Sequence, residues 1–289
     1  MIIVQTHWSK PLRWQNQNKR IRDQLLMYGL SAHTCRKAFN VPVVMVTDSR
    51  FASILSDFPE MYDAVTTELD DLAGVNPQFW AFPKFHVFAK YGASNPFLLQ
   101  IDTDVFFWDE MQVGAHVDLI AQSIEDKGIF DHSYDMPVKF VDRCIKQSGK
   151  TIPHWNPNFK SALNCGVVGF KDGSLAKEYA LNAIDICDAV EPYLDQFSEI
   201  PDGKKNGSVM VIPEQYYLQC FAKSLNLYTS FVSAKRLADG TVASFHPFDY
   251  YHMMGDKTDQ VMRDMVADKV KNTMPDFYNK LADSAYSGF

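Results

Sequence analysis

Long apolar runs, basic clusters and paired cysteines are all missing from this 289-residue chain. No apolar run approaches the ~20 residues of a spanning helix. The start, Met1-Ile2-Ile3-Val4-Gln5-Thr6-His7-Trp8, has no basic stretch followed by an apolar one, so it reads as a first strand. The expectation is a soluble, cytoplasmic protein. Lys and Arg number 28 against 35 Asp and Glu, a net charge of -7, and the basic residues gather only in doublets such as Lys19-Arg20 and Lys204-Lys205. That excludes a nucleic-acid binder, which needs a basic face. The five cysteines, Cys35, Cys144, Cys165, Cys187 and Cys220, are odd in number, far apart and without a Cys-x-x-Cys pair. They indicate neither a disulfide framework nor a zinc site, and read as small core residues in a reducing compartment. Repeats, low-complexity tracts and flexible linkers are absent too. No glycine-rich loop follows the first strand: Thr6-His7-Trp8-Ser9-Lys10 does not cradle a phosphate as a nucleotidyltransferase requires.

What is present is apolar residues at 46% and aromatic residues at 13%, enough for a large core. The first hundred residues alternate strand and helix. A strand at Ile2-Ile3-Val4 precedes a helix over 17–39, with Ile21, Leu25, Leu26 and Leu30 at helical spacing, and a buried strand over 42–48. A helix at 51–55, a strand at 64–67 and a helix at 78–91 lead into a strand ending at Asp102. This βαβαβαβ series implies an α/β fold with a mostly parallel, doubly wound sheet whose ligands bind beyond the carboxyl ends of the strands. The second half reads as a helix at 113–126, a polar and aromatic passage over 130–160, a strand at 163–170, helices at 174–197 and 213–225, and a helical segment from 257 onward. Residues 1–289 form a single domain on this reading, with divisions at 1–110, 111–257 and 258–289.

The richest stretch is Phe97-Leu98-Leu99-Gln100-Ile101-Asp102-Thr103-Asp104-Val105-Phe106-Phe107-Trp108. On a strand, residues i and i+2 share a side, so Asp102 and Asp104 converge. Two carboxylates at the end of a buried strand repel and lose hydration, which calls for a cation between them. Hard oxygen ligands suit Mg²⁺ or Mn²⁺. A strand-end turn in which both carboxylates bond backbone N–H groups is the alternative.

That motif, followed in order by Asn164-Cys165-Gly166-Val167-Val168-Gly169-Phe170, Glu214-Gln215 and His252-Met253-Met254-Gly255-Asp256-Lys257, resembles nucleotide-sugar glycosyltransferases of the GT-A fold, most closely the retaining, glycogenin-like and galactosyltransferase branch. The resemblance implies a Rossmann-like GT-A domain in which 1–110 binds a nucleotide sugar, 111–257 faces the acceptor and 258–289 is a helical extension. It implies that Asp102, Thr103 and Asp104 form the metal motif with His252 as third ligand, and that Gly255 and Lys257 bind phosphate. Asn164 and Gly166 would line the sugar side, and Glu214 and Gln215 would contact the sugar. Thr6, His7, Trp8 and Asp48 lie at strand ends where a nucleoside would sit, and Lys84 occupies a basic position near the donor. Glu214 departs from the Asp usual in the family, and Thr258-Asp259 from the usual Pro-Trp.

The implied activity is transfer of a hexose from a UDP-sugar to a carbohydrate or glycoconjugate acceptor, with retention. An imidazole ligand favours Mn²⁺ over Mg²⁺. His246 competes with His252 for that role. Asn164 and Gly166 are disfavoured inside a strand, consistent with close ligand approach or with a β-bulge. Glu214 is the one candidate nucleophile for a double displacement; a same-face displacement, with the departing phosphate accepting the proton, needs no protein base and is favoured. Tyr134, His154, Trp155 and Asn156 mark the passage assigned to the acceptor. A catalytically silent nucleotide-sugar or glycan-binding protein is the rival reading, since a fold does not establish chemistry. A haloacid-dehalogenase-type phosphatase also carries Asp-x-Asp after a strand, but wants Thr or Val where this chain has Phe106.

Overall fold

A computed structural model describes residues 1–10, 21–95, 97–111, 113, 114, 116–126, 133–201, 204, 207–232, 234–236, 242–244, 250–253 and 259–286. In chain order these contain β1 (Ile2–His7), α1 (Ile21–Phe39), β2 (Val43–Thr47), α2 (Ser49–Leu55), β3 (Ala64–Thr66), α3 (Phe82–Tyr91), β4 (Leu98–Ile101) and β5 (Val105–Phe107). Next come β6 (Leu119–Asp126), α4 (Asp135–Ser148), β7 (Ser161–Phe170), α5 (Gly173–Val190) and α6 (Leu194–Ser198). A π turn (Ile212–Tyr216), α7 (Tyr217–Ser224), β8 (Thr229–Phe231), β9 (Ala234–Arg236), β10 (Val242–Ser244), β11 (Tyr250–His252), α8 (Gln260–Thr273) and α9 (Pro275–Ala282) complete the order.

The chain divides into two units. The first comprises Met1–Pro77, Gln100–Val113 and Phe245–Phe289. Its strands run β3-β2-β1 and then the end of β4, with β1 parallel to β2 from Ile3 opposite Val43 to His7 opposite Thr47, and β2 parallel to β3. Ile3, Val4, Val43, Met45 and Val46 are buried, as expected of parallel strands covered on both faces. Helix α1 packs against β5 and β2, with Leu25, Leu26 and Leu30 buried. On its outer side Gly29 admits α9: a Cβ there would stand 2.8 Å from the Phe277 ring. Helix α8 is started by Asp259, whose carboxylate accepts from the Met262 N–H at 3.1 Å. This accounts for an Asp where the glycosyltransferase pattern differs.

The second unit comprises Gln78–Leu99 and Gly114–Ser244. Here the start of β4 neighbours β7, followed by β6 and β8; β6 is antiparallel to β7 and parallel to β8. Helices α3 and α5 meet through Phe85, Phe88 and Tyr179, whose rings touch edge to face. Just past α3 the backbones approach so closely that a Cβ on Gly173 would lie 1.7 Å from the Gly92 carbonyl oxygen. All five cysteines are buried, and burial pushes the thiols of Cys35 and Cys220 up to about 12 and that of Cys144 to about 11. They are core groups rather than nucleophiles.

The α/β architecture and its mostly parallel sheet agree with the sequence reading, while several local expectations are corrected. The helix expected over 113–126 is strand β6: Ser123 to Asp126 alternate between half-buried and exposed, and β7 and β8 supply hydrogen-bonding edges on both sides. Tertiary pairing overrides the high helical propensity of Ala121, Gln122 and Glu125. The passage over 130–160 contains α4, with Val138, Val141, Cys144 and Ile145 buried at helical spacing. Tyr250–His252 form strand β11, antiparallel to β5. Among the described residues, no helix is long and apolar enough to cross a membrane.

Candidate functional site

Asp102, Thr103 and Asp104 do not continue a strand. Strand β4 stops at Ile101, the Val105 N–H donates to the Asp102 carbonyl at 3.2 Å, and the chain turns before re-entering β5. The two carboxylates therefore converge through a turn rather than through strand pleating. Strand β11 delivers the third group: His252 pairs in register with Val105, and the Met253 N–H donates to the Asp104 carbonyl at 3.1 Å. Asp102, Asp104 and His252 each place a ligand atom within 4.8 Å of the others, and His252 Nε2 lies 3.5 Å from Asp104 Oδ1. Asp104 is buried and Asp102 half-buried. Burial, and then the charges of Asp102 and Asp104, hold the Tyr250 phenol well above its usual range, so it stays neutral beside them. Two carboxylates and an imidazole at this spacing fit a divalent cation, with hard oxygens and one nitrogen suited to Mn²⁺ and its neighbours.

A buried polar chain fixes the turn from behind. The Tyr62 hydroxyl donates to Gln5 Oε1 at 3.1 Å, Gln5 Nε2 to Ser31 Oγ at 2.7 Å, and Ser31 Oγ to the Val105 carbonyl at 2.6 Å. Gln5 Nε2 also reaches the Asp102 carbonyl at 3.4 Å. Burying Gln5 and Ser31 is tolerated because each is hydrogen-bonded, and the result is a backbone held at both ends of the motif.

At the ends of β1 and β2, Asp48 accepts from the Ser9 N–H at 2.6 Å and from the Phe51 N–H at 3.1 Å, capping α2 and pinning the loop after β1. Thr6 lies half-buried in β1, and the buried Trp8 ring carries the Lys10 ammonium 5.8 Å from its centroid. His7 Nδ1 meets the Tyr28 hydroxyl at 2.9 Å, and the imidazole packs on Phe51 with centroids 4.0 Å apart. Burial lowers its pKa to about 4, Asp48 opposing and Arg50 reinforcing the shift. An imidazole depressed in the folded state stays neutral there while the unfolded chain takes up a proton, so stability present above the unfolded value near 6.5 is lost as pH falls toward 4. His7 is expected to remove about 3 kcal/mol of unfolding free energy across that window, and His7→Gln to remove that part of the slope. Urea unfolding of both proteins at pH 7 and pH 4.5 checks this; equal slopes refute it.

In the second unit Lys84 and Glu214 meet each other. Lys84 Nζ donates to Glu214 Oε1 at 2.5 Å and to the Cys165 carbonyl at 2.9 Å, with the two side chains 6% and 1% exposed. Glu214 and Gln215 lie in the π turn, a local irregularity frequent at functional sites, where the Tyr179 hydroxyl donates to the Glu214 carbonyl at 2.6 Å. The register slips between β6 and β7, leaving Cys165, Gly166 and Val167 opposite Gln122, so Asn164 borders a β-bulge and Gly166 lies within it. Asn164 Nδ2 donates to Glu125 Oε1 at 2.6 Å, and the Tyr134 hydroxyl contacts both Glu125 Oε2 and Gln215 Oε1. A phenol has one proton, so one contact runs in reverse with the Gln215 amide rotated to donate. Burial and Glu125 push the Tyr134 phenol far upward and keep it protonated. Asn164, Glu125, Tyr134 and Gln215 form one continuous hydrogen-bonded row. The helical reading of 113–126 conceals Glu125; strand periodicity would have placed it on one face with Ser123.

Ser224, His154 and Glu178 resemble a nucleophilic triad, with Ser224 Oγ 2.6 Å from His154 Nδ1 and His154 Nε2 3.2 Å from Glu178 Oε1. Ser224 ends α7, where the helix dipole is negative, and the N–H groups of Leu225, Asn226 and Leu227 already donate to carbonyls. An oxyanion gains nothing there, and the set serves as a helix-end clamp. Trp155 Nε1 likewise donates to Asp142 at 3.1 Å, and the Asn156 carbonyl accepts from Tyr216 at 2.7 Å. Gly255, Lys257 and His246 lie outside the described residues.

No curated protein matches the chain. Among solved structures, mouse xyloside xylosyltransferase 1 in its apo form is 8% identical, covering 89% of this chain and 99% of that one with a TM-score of 0.46. The galactosyltransferase LgtC in complex with donor and acceptor sugar analogues is 11% identical, covering 97% of this chain and 100% of that one with a TM-score of 0.49. Likeness at this level decides nothing about chemistry. The profile of a family of unknown function, DUF6734, matches residues 1–284, and the chain belongs to that family.

Proposed function

We propose that the protein is a metal-dependent glycosyltransferase of the GT-A type, moving a hexose from a UDP-sugar to a carbohydrate or glycoconjugate acceptor with retention. The observation that carries the reading is the convergence of Asp102, Asp104 and His252, from chain segments far apart in sequence, within 4.8 Å. These residues would hold Mn²⁺, or Mg²⁺ as second choice, and the ion when bound supplies fixed positive charge for a diphosphate leaving group. The turn that presents them is fixed by Gln5 and Ser31, so the ligands are preorganised. Thr6, His7, Trp8 and Asp48 bound the nucleoside end, and Gly255 and Lys257 bind phosphate.

In the second unit Asn164 and Gln215, with Glu125 and Tyr134, offer the amide, carboxylate and phenol groups that sugar hydroxyls require. Glu214 is engaged by Lys84 and 1% exposed, which disfavours it as a nucleophile and supports same-face displacement with the departing phosphate as base. The second reading is a nucleotide-sugar-binding protein without turnover on the same fold. Incubating the protein with UDP- and GDP-sugars, with and without Mn²⁺ and a panel of saccharide acceptors, separates them. Metal-dependent release of nucleoside diphosphate with a glycosylated product is expected. Binding without release favours the silent protein, and no binding by folded protein overturns both.

A further inference from the structure

The β5–β11 ribbon has a second face, turned away from the metal ligands. Val105 and His252 form one cross-strand pair; their neighbours Phe106 and Tyr251 form the next and point the other way. Phe106 lies nearly parallel to both Tyr251 and Trp108, at 8° and 17° with centroids 6.4 and 6.0 Å apart. Helix α8 lies alongside, and between them is a cavity of about 310 Å³ lined by these three rings with Leu30, Met262, Met265, Val266 and Lys269.

The cavity opens to solvent on one side and falls at the lower end of the size range of small-molecule sites. It is not a slack contact. Arg263 pairs with Asp23 at 3.2 Å to tie α8 to α1, Val266 and Val270 are buried, and Asp259 caps the helix. Two methionines give the lining an adaptable surface. Met265 of the lining is 58% exposed, so an apolar group enters past it without displacing charge. Lys269 is the charged residue of the lining, and its ammonium sits 4.8 Å from the Trp108 ring centroid, at a spot an anion can share.

We propose that this cavity binds a small organic anion with an apolar body, the body against Phe106, Trp108, Tyr251 and the methionines and the anionic head on Lys269. A sugar fits poorly, because the lining offers three polar side-chain groups, the Trp108 indole N–H, the Tyr251 hydroxyl and the Lys269 ammonium, where many hydroxyls would need partners.

The test is fluorescence titration with 8-anilinonaphthalene-1-sulfonate, without metal or nucleotide, so that its outcome is independent of the glycosyl-transfer reading. Saturable binding at one site is expected. Lys269→Glu should weaken it by about tenfold or more, and so should Met265→Glu at the mouth, whereas Lys271→Glu on the same helix should leave it within about twofold. Thermal unfolding confirms that each variant is folded, and Lys269→Gln, which removes the charge from a side chain one atom shorter, replaces Lys269→Glu if that variant is not folded. Decanoate and 2-naphthoate as competitors distinguish an alkyl from an aryl body; 1-decanol, lacking the charge, should compete about tenfold less well. Unsaturable binding, or equal weakening by Lys269→Glu and Lys271→Glu, overturns the site. Equal competition by 1-decanol overturns the anion.

Discussion

Asp104→Asn is expected to abolish metal-dependent UDP binding while leaving the fold intact. The side chain is 1% exposed and stands 3.5 Å from His252 Nε2, so the substitution keeps the shape and removes one of two anionic ligands. Residues behind metal ligands already cost roughly 10- to 100-fold in affinity when changed, so losing a ligand should cost about 100-fold or more. Without metal, one fewer carboxylate relieves repulsion at Asp102, and the melting temperature should be equal or higher. The rise in melting temperature that saturating Mn²⁺ gives the unmodified protein should disappear. Calorimetric titration of UDP with and without Mn²⁺, alongside thermal melts, reads both effects. A variant that keeps Mn²⁺-dependent UDP affinity within about threefold would remove Asp104 from the site.

Breaking the Lys84–Glu214 pair should be the most destabilising polar change in the second unit. Lys84→Met keeps the stem but leaves a buried carboxylate without its ammonium and removes the donor to the Cys165 carbonyl. Stranding one charge of a buried pair costs about 3–5 kcal/mol, whereas replacing both partners by groups of similar volume is often neutral. The double variant Lys84→Met with Glu214→Leu should therefore recover most of the loss. Urea unfolding of the two single variants and the double variant forms a thermodynamic cycle. Additive losses would show that the pair is no unit and that each side chain acts alone.

Residue spacing makes the alternating first half readable because β1, α1 and β2 are long and covered on both sides, so periodicity and burial agree. It also exposes Asp102 and Asp104, since paired carboxylates within apolar sequence have no ordinary core role. His252 enters through its resemblance to a family pattern; that β11 carries it beside Asp104 depends on pairing with β5, which no local signal at three residues encodes. Strand β6 is misread for a related reason: its residues are indifferent to helix or strand, and neighbours on both edges decide. That error conceals Glu125. The meeting of Lys84 with Glu214 is equally invisible, because a lysine in an amphipathic helix usually faces water, and only α3 packing against β7 and the π turn buries it.

The first unit is discontinuous: the chain leaves it at Val113 and returns at Phe245. Asp102 and Asp104 therefore emerge from a ribosome long before His252, and the Gly114–Ser244 part of the second unit is synthesised between them. The nascent chain holds two neighbouring carboxylates without their imidazole until β11 has been synthesised. Premature termination between Gly114 and Ser244 leaves the acidic pair without β11, α8 or His252, so shortened products cannot assemble the Asp102, Asp104 and His252 group.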